Sequence, residues 1–101
     1  MAGYEHITKM EEIMDTEAEK LAQLNALLDY FTQNADRYQS LVDYYYSDQR
    51  SQDLEDDAAG RIPQTLKRGV LSEDGIWNLM GEHYDTAMQM METGLAMLKA
   101  R

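Results

Sequence analysis

Chemistry in this chain would have to begin with its two histidines, its nineteen carboxylates and its seven tyrosines, since cysteine is absent. His6 stands near the amino end with no histidine or cysteine at a ligand spacing. His83 directly follows Glu82, which puts the two on different faces of a helix. The paired histidines of a zinc peptidase need spacing four on one face, so that chemistry is excluded. His83 therefore reads as a boundary residue beside a core. Asp53, Glu55 and Asp57 occupy the first, third and fifth places of a calcium-loop template. Ala58 then stands where the turn glycine is required, and Gln64 where a bidentate glutamate should close the site. Arg61, Lys67 and Arg68 lie near enough in sequence to fold back on Asp53, Glu55, Asp56 and Asp57, and internal ion pairing is the simpler account. Met88, Met90 and Met91 hint at soft-metal ligation, but most methionines fall on helical seams, where an adaptable side chain fills a core. Glycine-rich phosphate loops, nucleophile elbows and paired His with Ser or Asp are missing. The expectation is no enzyme, no metal and no cofactor.

The elements carrying these residues follow from periodicity. From Ile7, apolar residues recur at alternating steps of three and four: Ile7, Met10, Met14, then Leu21, Leu24, Leu28 and Phe31, with Glu17 the only interruption. Ile13, Leu27 and Tyr30 widen this heptad seam to a bundle-helix stripe. A first helix over about 4–33 is expected, with Thr8 and Glu11 in capping-box form marking a possible later start. Ala35, Tyr38, Val42 and Tyr45 continue the phase. The polar Thr32, Gln33 and Asn34 favour a break, with Asn34 capping a second helix over 35–46. A short helix over 49–57 and a loop over 58–71 come next. Pro63 would open a turn there and Gly69 would give a left-handed stop. Ser72 opens the last helix, 72–100, through a capping hydroxyl, Glu73 and Asp74 in the first turn, and Leu71 placed to staple onto Ile76. Its seam runs through Trp77, Met80, Tyr84, Ala87, Met91, Gly94 and Leu98.

Charge bounds the partners. The chain of 101 residues carries a net charge of −10. Residues 1–60 hold 14 acids against 4 bases, and residues 61–101 hold 5 of each. Nucleic acid and anionic membrane surfaces would repel the acidic part, because binding to both comes from Lys and Arg displacing counterions. No run of about 18 apolar residues could span a bilayer. With neither an export signal nor cysteine, a cytoplasmic setting is expected.

The segment Asp53-Leu54-Glu55-Asp56-Asp57, with Gly60, Pro63, the run Leu66-Lys67-Arg68-Gly69-Val70-Leu71-Ser72-Glu73-Asp74 and then Asn78-Leu79, resembles a family of small bacterial proteins classed as domain of unknown function 4298. The long Leu-rich and Tyr-ended helices before this segment look like the same family. The resemblance implies an all-α fold and carries no activity, ligand or partner.

The fold expected is all-α, a single domain forming an antiparallel three- or four-helix bundle with one long ordered loop. Connections longer than a few residues between bundle helices are commonly functional. The apolar Leu54, Ile62, Leu66, Val70 and Leu71 argue that this one is ordered. The expected role is a protein-binding or adaptor module. Its candidate partner surface comprises Tyr44, Tyr45, Tyr46, Asp53, Glu55, Asp56, Asp57, Arg61, Lys67 and Arg68, facing a basic or neutral protein. The rivals are a structural homo-oligomer built on the heptad seams and an acidic immunity or antitoxin protein.

Overall fold

A computed structural model describes residues 3–100. Among them are four α-helices and no strand: α1 (Glu5–Gln33), α2 (Ala35–Tyr45), α3 (Asp48–Ala58) and α4 (Gly75–Lys99), with a 3-10 turn at Gly69–Leu71. The chain divides into two compact units, Met1–Arg37 and Tyr38–Arg101.

The first unit is essentially α1. The Gly3 amide donates to the Glu5 carboxylate at 3.0 Å, and the Ile7 amide to the Tyr4 carbonyl. These bonds start the helix upstream of Thr8, which lies inside it, so the capping box has no part in the start. Backbone amides of Glu5 and Gly3 hold the Glu5 carboxyl below its ordinary range. At the other end Asn34 closes α1: its amide and its side-chain Nδ2 both donate to the Tyr30 carbonyl at 2.9 Å. Asn34 thus caps the end of α1 with its side chain, rather than the start of α2, because a free carbonyl lies within reach on that side. At 29 residues α1 is about 43 Å long. None of its residues is buried, and, Tyr30 aside, the nine apolar side chains of its seam and flank keep 37–59 % of their surface exposed.

The second unit turns on Ser47. Its hydroxyl donates to the Tyr44 carbonyl at 2.6 Å and accepts from the Arg50 amide at 3.1 Å. One side chain thereby closes α2 and caps α3. Helix α3 ends at Gly60, whose φ of 73° is the left-handed stop, with the Arg61 amide bonded back to the Asp56 carbonyl. The stop expected at Gly69 is not made, since Gly69 instead opens the 3-10 turn. The last helix begins at Gly75, later than Ser72. Ser72 still caps, but from outside, accepting from the Gly75 amide at 3.1 Å while donating to the Gly69 carbonyl at 2.7 Å. Tyr38 stacks on His83 at 3.8 Å and Tyr45 lies 6.5 Å from Trp77, so α2 and α4 run in opposite directions where they meet. Ile76, at 3 % exposure, is the one buried side chain among the described residues.

Gly75 is required by close approach. A Cβ there would meet the Ser72 Oγ at 2.5 Å and the Gly69 carbonyl oxygen at 2.6 Å, and a backbone oxygen cannot swing aside. Gly75→Ala is expected to destabilise this unit by roughly 2 kcal/mol in urea denaturation. Gly81→Ala, where a Cβ meets nothing within 4 Å, should be neutral or stabilising by up to about 1 kcal/mol. Similar behaviour of the two variants would contradict the close packing around Gly75.

Candidate functional site

The acids and bases between Asp53 and Arg68 converge on the face of α3 and the segment that follows it. The Tyr44 hydroxyl donates to Asp53 at 2.6 Å, and Gln49 donates to the other carboxylate oxygen at 2.9 Å. Asp56 accepts from Gln52 and from Arg61, each at 3.1 Å. Arg68 pairs with Asp57 at 2.6 Å, and both side chains are about two-thirds covered. Beside these pairs lies a depression of about 330 Å3 whose apolar lining is Ile62, Pro63, Leu66, Val70 and Leu71. Tyr44, Asp53, Asp56, Arg61, Lys67 and Arg68 all line it.

Four of the expected surface residues do not line it: Asp57, which is held by Arg68, and Tyr45, Tyr46 and Glu55. Glu55 is exposed on α3. Tyr46 is 69 % exposed and meets Tyr45 edge-on at 4.9 Å. Tyr45 itself turns toward Trp77 and lies under the Arg50 guanidinium, 4.7 Å from its ring centre. The three consecutive rings diverge because successive helical residues point about 100° apart.

Arg50 is the residue sequence reasoning missed. From the first turn of α3 its Nε donates to the Val70 carbonyl at 3.1 Å and its terminal nitrogen to the Ser72 carbonyl at 3.2 Å. With its cation over Tyr45, it ties the connection to both α2 and α3. A lone arginine whose acceptors are backbone carbonyls some twenty residues away leaves no motif. The only available hint was that it is the one base between Arg37 and Arg61.

The Tyr44 bond perturbs both partners. It holds the Asp53 carboxyl below its ordinary range, with Gln49 contributing, and pushes the Tyr44 phenol above its own. A depressed carboxyl contributes stability above the unfolded-state pKa that is lost as pH falls through the folded value. A raised phenol contributes stability that is present below the unfolded-state pKa and is lost as pH rises through the folded value. The α2–α3 corner should therefore loosen in acid below about pH 4 and in base above about pH 10. Tyr44→Phe is expected to move the Asp53 titration, followed by carboxyl NMR, upward toward the ordinary range; an unmoved titration would show that the bond is not formed in solution.

Chemically this arrangement fastens a connection. The carboxylates and guanidinium groups around the depression are already engaged with one another, and no three His or carboxylate side chains among the described residues converge on a cation position. Among the described residues no helix is long and apolar enough to cross a membrane. The chain belongs to the family described as "Domain of unknown function (DUF4298)", whose profile matches residues 7–93. No curated protein and no solved structure matches it.

Proposed function

We propose that this member of a family without an assigned activity is a non-catalytic, helical protein-association module whose contact surface is the apolar seam of its long helices. The observation that carries this reading is the exposure of α1: a 29-residue helix with nine apolar side chains on one side and none of them buried. An apolar patch of this extent exceeds what a soluble surface ordinarily shows and is the kind that other proteins cover. Helix α4 supports the same reading, with Met91 and Leu98 at 72 % and 70 % exposure. The bundle expected from the heptad periodicity is completed, in this reading, by helices of an associating protein.

The seam displaces the Asp53 to Arg68 loop as the favoured contact surface, because the loop's charges are largely satisfied internally. Two variants separate the surfaces. Serine at Asp56, Asp57, Lys67 and Arg68 together should leave association intact, measured by sedimentation equilibrium and by affinity capture. Leu24→Glu with Leu28→Glu should remove it while the circular dichroism of the second unit persists. Loss of association in the serine variant alone would return the contact surface to the loop.

A further inference from the structure

Resting on the association reading, we infer that the occupant of the α1 seam is α1 of a second copy, packed antiparallel and centred on Glu19. Three features of α1 select this pairing. The first is area. Its nine half-exposed apolar side chains offer on the order of 800 Å2 per copy, the area per partner of a standard stable interface.

The second is register. Glu19 lies midway along the seam, so an antiparallel copy sets Ile7 opposite Phe31 and Met14 opposite Leu24. Every layer between them also falls seam on seam. Ile13 and Leu27, which flank the seam on one side, then face each other and widen the apolar contact. In a parallel pair the same two residues would face Ala18 and Thr32, and that gain is lost.

The third is charge. Glu17 is the one charged residue on the seam, and a parallel pair would set it against its own copy in a low-dielectric core, where like charges repel strongly. The antiparallel pair sets Glu17 opposite Leu21 and beside Lys20 of the other copy. The two-fold axis repeats the contact, so two glutamates and two lysines alternate around the centre. Of the remaining acids, Glu5, Glu12, Asp15, Glu19 and Asp29 fall on the face turned away from the seam, and Glu11 flanks it opposite the uncharged Asn25 of the other copy. The acids are thereby kept off the contact itself, and the two Lys20 side chains that meet across the axis each have a Glu17 of the other copy beside them.

The chain of 101 residues is cysteine-free, which makes single cysteines clean reporters of register. Positions 14 and 24 lie about 15 Å apart along one helix and cannot bridge within a copy. Met14→Cys and Leu24→Cys are prepared separately, then oxidised alone and as a mixture. The antiparallel register predicts a disulfide-linked dimer abundant in the mixture and scarce in either variant alone. Dimers from each variant alone, and no enrichment in the mixture, would overturn it. Glu17→Lys is expected to weaken the wild-type dimer at least tenfold in sedimentation equilibrium, and Glu17→Lys combined with Lys20→Glu to restore it. These surface exchanges keep helix propensity, which guards against a variant that fails to fold. An unrestored double variant would overturn the central pairing. A wild-type chain that is monomeric at every concentration overturns self-pairing altogether. If that monomer still captures a different protein through the seam, the association module stands without this inference; if Leu24→Glu with Leu28→Glu changes nothing, both fall.

Discussion

Leu24→Glu combined with Leu28→Glu is expected to weaken association through the seam by about a thousandfold or more. Each leucine keeps somewhat more than a third of its surface exposed in the free chain, and that share is covered only on association. Covering a leucine is worth roughly 1.5–3 kcal/mol, and a carboxylate in its place adds the cost of desolvating a charge. Two positions in one copy already approach the 4 kcal/mol or so that corresponds to three decades of affinity, and a self-paired dimer loses both positions twice. The second unit contains neither leucine. Its stacking bands in circular dichroism, from Tyr38 on His83 and Tyr45 near Trp77, should be retained. Association within threefold of wild type would remove the seam from the account.

Ile76→Ala is the counterpart in the second unit, expected to destabilise it by about 2–5 kcal/mol. That range is set by the loss of buried methyl groups together with incomplete collapse of the space they leave. It is large against the roughly 3–10 kcal/mol that a folded unit of this length holds. The effect should stand out because Ile76 is alone among the described residues in being buried, with Leu71 and Met80 of the same unit half-buried. Leu79→Ala, at an exposed site on the same helix, should cost about 1 kcal/mol or less. Urea denaturation followed by Trp77 fluorescence measures both. Equal losses would mean that the core of this unit lies elsewhere.

The helices were legible because their signals are local. A seam at steps of three and four needs only neighbouring residues, and the break at Asn34 follows from three consecutive polar side chains. The corrections arise where a signal has two uses. Ser72 does cap α4, but across an intervening turn, because its hydroxyl also holds the Gly69 carbonyl and leaves Gly75 as the first helical residue. Gly60 and Gly69 look alike in sequence; only Gly60 follows a full α-helix whose last carbonyls need a left-handed stop. The internal pairing of the loop charges was readable from the closeness of Asp56 to Arg61 and Asp57 to Arg68. That pairing is also what weakens the loop as a docking surface, and the two readings of one charge run could be weighed only with the partners in view. Arg50 was illegible for a different reason: it acts on carbonyls, which every residue has.

Seam residues carry the hardest ambiguity. Apolar periodicity shows that a face is to be covered and is silent on what covers it. For α4 the aromatic contacts with α2 cover part of the face, and His83 is half-buried against Tyr38. For α1 every apolar seam position is exposed, and the proposed association is what would cover it.

Amide hydrogen exchange of α1 in the purified chain, followed across a wide range of protein concentration, tests that assignment most directly. A helix in a protein draws most of its stability from packing of its apolar face, so the amides of α1 are expected to be most protected while the seam is covered. The account predicts that protection over residues 7–31 rises with concentration and disappears in the Leu24→Glu, Leu28→Glu variant. Strong protection that is the same at every concentration would contradict it, because the seam would then be covered within a single chain.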